Sequence, residues 1–407
     1  MRYGKFVSSE NESIDEVMAV VMPAGQSYTG LSQAEIFCHG GRQVASLILD
    51  EIVKSGARTA EPGEFTKLAF LSGKIDLSKA EAVAEIISAN TEQSYRAARE
   101  HLLGNYSKLI DDIYSDLISL LAQVEASIDF PEEELSPNET KALLKLSDKN
   151  INQISSLLET YKGGKIIKEG FKIALAGKTN AGKSSLFNQL LKEQRAIVAP
   201  TEGTTRDFLS EWIDIDGYAI NIIDTAGIRK DAEHVEKIGQ ESAKKIIEDS
   251  DLTLWMFDQT DKDAFEKAHS NSQEIKAREI LLVANKSDLI SSEKWSKQSN
   301  QTLNIVETSC KTGEGIKELQ RKILEIIRAN AKDSSSGVIV TSRRHQKKLK
   351  AALSHLRIAR KHIEVSESPD ITAFELRMGA NELEEITGRI YNEQILGEIF
   401  SKFCIGK

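Results

Sequence analysis

The chain has 407 residues, more than one ordinary hydrophobic core accommodates, so two or three domains are expected. Hydrophobic residues make up 40% and charged residues 28%, a normal globular share. The net charge of −9 excludes a bulk polycation, so any nucleic-acid contact must come from a local basic patch. No apolar run approaches the ~20 residues a membrane span needs. Met1-Arg2-Tyr3-Gly4-Lys5 is not followed by an apolar stretch of signal-peptide length. Cys38, Cys310 and Cys404 lie far apart with no metal spacing, which points to a reducing cytoplasm and no membrane association.

Residues 1–73 read as short strands and turns with one helix, Arg42 to Ser55, and Val17–Met22 as a buried strand closed by Pro23. Gly25, Gly30, Gly40 and Gly41 punctuate this segment. From Leu77 to about Ile128 the pattern is helical. Tyr95, Ala98, Leu102, Leu109, Ile113, Leu117, Leu120, Val124 and Ile128 recur at three- and four-residue steps until Pro131. Ser136-Pro137-Asn138-Glu139 reads as a capping box opening a second helix, which is expected to end near Gly163-Gly164. Residues 170–330 alternate strand and helix, with strands at Phe171–Ala176, Tyr218–Ile223, Leu252–Phe257, Ile280–Ala284 and Asn304–Thr308, so a parallel α/β sheet is expected. Asp333-Ser334-Ser335-Ser336-Gly337 reads as a linker, and 341–404 as helical, including Asp370–Met378 and Glu382–Thr387. Long amphipathic helices cannot bury their stripes alone, so the helical segments before and after the α/β part are expected to pack together around the insertion. The expected division is 1–73, 74–168, 169–330 and 331–407.

Gly177-Lys178-Thr179-Asn180-Ala181-Gly182-Lys183-Ser184 matches G-x-x-x-x-G-K-[ST] between a strand and the helical run from Ser185. Such a loop closes backbone N–H groups around phosphate oxygens, helped by the positive helix N-terminus. Lys183 is expected at the β- and γ-phosphates and the Ser184 hydroxyl on Mg²⁺. Thr204-Thr205-Arg206-Asp207 follows in a loop, with Thr205 as the second Mg²⁺ hydroxyl. Asp224-Thr225-Ala226-Gly227 follows a strand, with Asp224 orienting the metal shell and the Gly227 N–H at the γ-phosphate. In Asn285-Lys286-Ser287-Asp288 the Asp288 carboxylate can accept from guanine N1–H and N2–H₂, a donor pair adenine lacks. Ser309-Cys310-Lys311 closes over the base. Five weak motifs in order, each behind a strand, make a strong signal for a Ras-like GTPase domain.

Two features depart from Ras-like switches. Ile228 stands where a glutamine would orient the attacking water. Another group must do that work, and Glu236 is a candidate beside Glu233 and Glu241. No arginine finger is evident, although Arg206 and Arg229 are near; a bound K⁺ could supply the charge, with the neutral side-chain oxygen of Asn180 as a ligand.

The chain resembles the tRNA-modification GTPase family MnmE, also called TrmE. The resemblance is carried by Asn180–Ser185, Gly203–Asp207, Asp224–Arg229 and Phe403-Cys404-Ile405-Gly406-Lys407. Ser27-Tyr28-Thr29-Gly30, His39-Gly40-Gly41 and Pro62-Gly63-Glu64-Phe65 add to it, so that it spans essentially the whole chain. It implies an N-terminal α/β folate-binding domain that forms homodimers, a helical domain split by a Ras-like GTPase domain, and K⁺-dependent hydrolysis as two such domains meet. It implies nucleotide contacts from Asn180, Ala181, Gly182, Lys183, Ser184, Ser185, Ala199, Pro200, Thr201, Glu202, Gly203, Thr204, Thr205, Asp224, Thr225, Ala226, Gly227, Asn285, Lys286, Asp288, Ser309, Cys310 and Lys311. Asn180, Ala199, Thr201 and Thr204 would surround K⁺, and Glu236 would be the catalytic base. Glu35, Lys74 and Lys407 would lie near a 5-formyl- or methylene-tetrahydrofolate. The implied partners are tRNA and the flavoprotein MnmG (GidA), with which the family builds an aminomethyl-type group on C5 of the wobble uridine. Family members carry a further segment ahead of the region matching Arg2–Phe6, so the folate domain is expected to be incomplete, and folate binding and dimer formation then depend on what remains.

Two further functions stand beside this first one. Ile228 and the basic stretch Arg343, Arg344, Lys347, Lys348, Lys350, Arg357, Arg360 and Lys361 would also suit an RNA-binding ribosome-assembly switch. The plainer view of that stretch is the solvated face of a helix with Leu349, Leu353, Leu356 and Ile363 inside. A truncated, inactive scaffold is the third. Cys404 four residues from the end is not a prenylation box, because Gly406 is not aliphatic and Lys407 is not a usual last residue. Cys38 and His39 have no further ligands nearby, so no zinc site is expected.

Overall fold

The computed structural model describes residues 1–130, 136–193, 195–197, 209–225, 236–261, 263, 265–268, 270, 277–289, 305–330, 337–365 and 368–406. The chain divides into two compact units, one of Met1–Ile87, Glu100–Asn152 and Lys347–Lys407, the other of Ser88–Arg99 and Gln153–Gln346.

The first unit opens with an antiparallel meander of β1 (Arg2–Val7), β2 (Ser13–Met22) and β3 (Gln33–Phe37). Asn11 takes a left-handed φ of 64° in the β1–β2 turn, a conformation asparagine tolerates better than most residues. The helix Arg42–Lys54 follows as expected, and a second, Glu64–Leu71, was not foreseen. The run from Leu77 is three helices, Leu77–Ser88, Glu92–Leu102, of which the part up to Arg99 belongs to the second unit, and Asn105–Asp129. Gly104, at φ +87°, ends one and starts the next, and periodicity alone does not register that break.

Asn105–Asp129 packs on Pro369–Thr387, bringing the segments before and after the α/β part together. Ile110, Ile113, Leu117, Leu120 and Val124 from the first, and Leu376, Ala380, Leu383 and Ile386 from the second, are buried. Gly379 is where they close in: a side chain there would meet Leu117 at 3.4 Å. Pro369–Thr387 is one helix where two were expected, since nothing between Met378 and Glu382 breaks it. The unit also holds the Lys347–Val365 part of the helix Arg343–Val365. The last helix, Glu393–Phe400, is capped by Asn392, whose side chain accepts the Ile395 N–H at 2.8 Å. Its Leu396, Ile399 and Phe400, with Phe403, bury against Phe70, Leu77 and Ala80.

The second unit is built on a seven-stranded sheet: β4 (Phe171–Gly177), β5 (Arg195–Ala196), β6 (Leu209–Ile215), β7 (Tyr218–Asp224), β8 (Leu252–Asp258), β9 (Ile280–Asn285) and β10 (Ile305–Glu307). The spatial order is β10-β9-β8-β4-β7-β6-β5. The five strands from β10 to β7 are parallel and nearly continuous apolar runs, as a sheet covered on both faces requires. The expectation of a wholly parallel sheet is corrected at one edge, where β6 and β5 run antiparallel. The signal for β6 is Asp216-Gly217, with φ of 53° and 82°: two left-handed residues joining β6 to β7 in a tight hairpin. Helices Lys183–Glu193, Glu236–Asp249 and Ile316–Asn330 accompany the sheet.

A further correction concerns Gly163-Gly164. The helix opened by the Ser136 capping box, whose Glu139 accepts the Ser136 N–H at 2.8 Å, runs from Pro137 to Glu169 straight through both glycines. Gly164 there serves packing: a Cβ would lie 2.2 Å from the Val340 carbonyl oxygen. The Val340 N–H in turn donates to Thr160 Oγ1 at 2.9 Å. Among the described residues no helix is long and apolar enough to cross a membrane.

A helical glycine facing solvent gains about 1 kcal/mol on replacement by alanine. Gly164→Ala should instead destabilise by about 1–3 kcal/mol, the usual cost of overpacking. Chemical denaturation measures the sign, and unchanged or higher stability would remove the packing role given to Gly164.

Candidate nucleotide site

The parallel strands end together, and the four motifs that the described residues retain, wholly or in part, sit at or just beyond their carboxyl ends, where open α/β sheets bind ligands; Thr204-Thr205-Arg206-Asp207 lies outside the described residues. The loop after β4 is shaped by three left-handed residues, Gly177 (φ +129°), Asn180 (φ 65°) and Gly182 (φ +99°). At Gly177 a Cβ would stand 2.1 Å from the Met256 carbonyl oxygen on β8, so only glycine lets the strand turn there. Lys183 is buried, and its ammonium donates to the carbonyls of Gly177 at 2.9 Å and Lys178 at 2.8 Å. The cation is thus held against the backbone of the loop. Ser184 follows in the first turn of Lys183–Glu193, and Ser185 is exposed beside it.

Asp224, at the end of β7, is 1% exposed and accepts the Ser184 hydroxyl at 2.8 Å. A hydroxyl and a carboxylate brought together next to a phosphate loop form the hard oxygen set that Mg²⁺ prefers. Thr225 Oγ1 donates to the Leu175 carbonyl at 2.7 Å and anchors the start of that turn to β4.

The Asn285–Asp288 turn is tied to the Gly177–Ser184 loop by one side chain. Asn285, 3% exposed, donates its amide N–H to the Ala181 carbonyl at 2.9 Å, and its Oδ1 accepts the Cys310 N–H at 3.2 Å. A Cβ at position 182 would lie 2.1 Å from the Asn285 amide nitrogen, which explains the second glycine. Asp288 is exposed, and one of its oxygens accepts the Ser309 hydroxyl at 2.7 Å, which fixes the plane of the carboxylate. The Thr308–Gly315 turn closes on itself through Ser309 N–H to Glu314 O at 2.9 Å; Lys311 is exposed in it. Burial pushes the Cys310 thiol up to about 11 although Asn285 hydrogen bonding opposes this, so the thiol is neutral near pH 7.

Motif reading missed Asp258 and Gln259. Lys286, at a left-handed φ of 69°, forms an ion pair with Asp258 at the end of β8. Burial alone would raise the Asp258 carboxyl, but hydrogen bonds from Lys286 and Thr260 outweigh it and hold it below the usual range. Gln259, 5% exposed, donates its side chain to the Ala284 carbonyl at 2.7 Å and its N–H to the Asn285 carbonyl at 3.1 Å. Polar residues at the carboxyl end of a central parallel strand, Asp258-Gln259-Thr260, are the signal that would have found them.

Ala199, Pro200, Thr201, Glu202, Gly203, Thr204, Thr205, Ala226, Gly227 and Lys407 lie outside the described residues. Glu236 is the first residue of Glu236–Asp249, and its side chain also lies outside them. In the first unit, Glu35 on β3 accepts from Gln33 at 3.0 Å, and Lys74 donates to the Gly25 carbonyl. Thr29 bonds Gln33 at 3.2 Å, so Glu35 and Lys74 are both linked to the loop between β2 and β3.

Two family profiles match the chain: "GTP-binding protein TrmE N-terminus" over residues 1–74 and "MnmE helical domain" over residues 77–404. Among curated proteins, the tRNA modification GTPase MnmE of Aquifex aeolicus is 42% identical over 100% of this chain and 90% of its own length. The protein of the same name from Carboxydothermus hydrogenoformans is 40% identical over 100% of this chain and 89% of its own. That from Akkermansia muciniphila is 38% identical over 98% and 87%. With matches at this identity running through the flanking segments as well as the nucleotide site, the chain belongs to the tRNA modification GTPase MnmE family.

Proposed function

We propose that this protein hydrolyses GTP in the service of tRNA modification. The observation that carries the reading is Asn285, whose amide joins the guanine-reading turn to the phosphate loop, so that base and phosphates are addressed by one rigid assembly. Lys183 contacts the β- and γ-phosphates, Ser184 holds Mg²⁺ with Thr205, and Asp224 orients the metal shell. Asp288 reads guanine N1–H and N2–H₂. Glu236 is the base that activates water in place of the glutamine that Ile228 replaces, and K⁺ on Asn180, Ala199, Thr201 and Thr204 offsets charge at the transferred phosphoryl group. The remaining nucleotide contacts are those of the motifs, including Ser185, Thr225, Lys286, Ser309, Cys310 and Lys311.

The substrate is the wobble uridine of certain tRNAs, modified at C5 together with the flavoprotein MnmG. A 5-formyl- or methylene-tetrahydrofolate held near Glu35, Lys74 and Lys407 supplies one carbon. The functional form is a cytoplasmic homodimer joined through the N-terminal segment. The working division is 1–73 for folate and dimer formation, 74–168 and 331–407 for the helical domain, and 169–330 for the GTPase. Against the ribosome-assembly reading, Pro369–Thr387 returns to pack on Asn105–Asp129 within the first unit.

Lys183→Ala removes charge-assisted hydrogen bonds of about 1.5–3 kcal/mol each. It should weaken guanine-nucleotide affinity by about a hundredfold or more in a fluorescent-GDP titration; retained tight binding would refute the loop assignment. Glu236→Ala should keep GTP binding and lower kcat by roughly 10²–10⁴. In the same assay the parent protein should turn over faster in KCl than in NaCl, and equal rates would rule out the cation step. Asp258→Ala should weaken GTP by about fivefold or less, since its ion pair is part-exposed. If Asp258 acts through the Lys286–Asp288 turn, the preference for GTP over ITP, which lacks the 2-amino group, narrows. Equal losses for both nucleotides would make Asp258 merely structural.

A further inference from the structure

The helix Arg343–Val365 carries eight Lys and Arg residues and one acid, Glu364, in a chain whose net charge is −9. Within the first unit its cations sort by position. Lys348 is bridged by Glu382 at 3.0 Å and Glu385 at 2.6 Å, and Arg360 pairs with Asp148 and with Glu364. These two lie at the edges of the buried stripe of Leu349, Ala352, Leu353, Leu356, Ala359 and Ile363 and reach neighbouring helices. Lys347, Lys350, Arg357 and Lys361 do not. At 100° per residue they fall within one narrow arc opposite that stripe, with Ser354 among them. All four cations are exposed, and none forms an ion pair with a described residue.

A solvated face without further purpose would mix signs, as this chain does elsewhere: Ile316–Asn330 alternates Glu318, Arg321, Lys322, Glu325 and Arg328. The outward arc from Lys347 to Lys361 holds no carboxylate over fourteen residue steps, a rise of about 21 Å. That is long enough to track several consecutive phosphates of one strand. Lysine and arginine spaced along a rigid rod, without base-reading aromatics between them, suit a polyanion recognised by its backbone and not by its sequence.

We propose that Lys347, Lys350, Arg357 and Lys361 form a phosphate-contacting stripe for the helical arms of tRNA. The proposal rests on the tRNA reading above and extends it to a surface. The stripe holds the substrate by charge and leaves nucleotide chemistry to the other unit.

The test uses the full chain, bulk tRNA and fluorescence anisotropy between 50 and 300 mM KCl. Replacing all four residues with alanine should lower tRNA affinity about tenfold or more at the lowest salt, and should flatten the log K against log salt slope by about three. The charge-preserving set Lys347→Arg, Lys350→Arg, Arg357→Lys and Lys361→Arg should bind like the parent. GTP turnover in KCl should be the same in all three proteins, because none of these residues belongs to the nucleotide site. Unchanged tRNA affinity and slope in the alanine variant would overturn the proposal. So would a parent protein without salt-dependent tRNA binding, or a loss seen only on anionic phospholipid vesicles. Wobble-uridine analysis in cells tests the function separately: a parent that binds tRNA through the stripe yet restores no modification refutes that reading and leaves the surface standing.

Discussion

The side-chain amide of Asn285 is the constraint on which the nucleotide site depends. Its N–H reaches the Ala181 carbonyl in the loop after β4, and its oxygen receives the Cys310 N–H from the Thr308–Gly315 turn. Three segments far apart in sequence are therefore held by one buried group. Leaving either end unpaired would cost about 1–3 kcal/mol. The arrangement dictates neighbours: Gly182 must lack a Cβ to let the amide approach, and Gln259 must hold the Ala284 and Asn285 carbonyls so that the asparagine leaves β9 at the right place. Lys183, one residue beyond Gly182, inherits its position from this tether.

Much of this was legible in the residues. Strands β4, β7, β8 and β9 lie within one residue of their expected ends, because each is a buried apolar run with polar residues at its close. Elements that answer to other segments were not. Gly163-Gly164 reads as a stop, yet Gly164 is small because the Val340 backbone crosses it, and nothing local to the glycine announces Val340. Asp258 acquires its role only through Lys286, just past the end of the neighbouring strand β9, a pairing that the sheet order creates. Strand β6 was readable and overlooked: Asp216-Gly217 is a hairpin signal, and the period-two alternation ahead of it is short.

The two ends of the chain show how a resemblance acquires a physical basis. Pro62-Gly63-Glu64-Phe65 and Phe403-Cys404-Ile405 carry family likeness in the sequence without any visible reason to belong together. In the first unit they meet. Pro62 bridges Ile405, the Gly63 N–H lies 3.4 Å from the Cys404 carbonyl, and Gly63 takes φ +68° with Phe400 and Phe403 at 3.0 Å from where a Cβ would stand. A side chain there would strain the backbone and press on the aromatic pair at once. The glycine is thus required by residues some 340 positions away, and the placement of the C-terminal segment follows from it.

The lysines of this protein separate by what surrounds them. Burying an ammonium is costly unless a partner compensates. Lys183 meets two carbonyls, Lys286 meets Asp258, and Lys348 sits between Glu382 and Glu385. For Lys348, burial alone would lower its proton affinity, yet the two carboxylates more than reverse this and raise it, so its charge belongs to the fold. Lys347 and Lys350 stand one and two residues away on the same helix, exposed and unbridged by any described residue. Their charge is tied to no described carboxylate of the fold, and it stands exposed to solvent. A charge committed to an internal carboxylate meets an external phosphate only by breaking that bond, whereas a hydrated one need only release its counterions. Within one helix, then, the partnered cations hold the bundle together, and the unpartnered ones are left able to engage a polyanion.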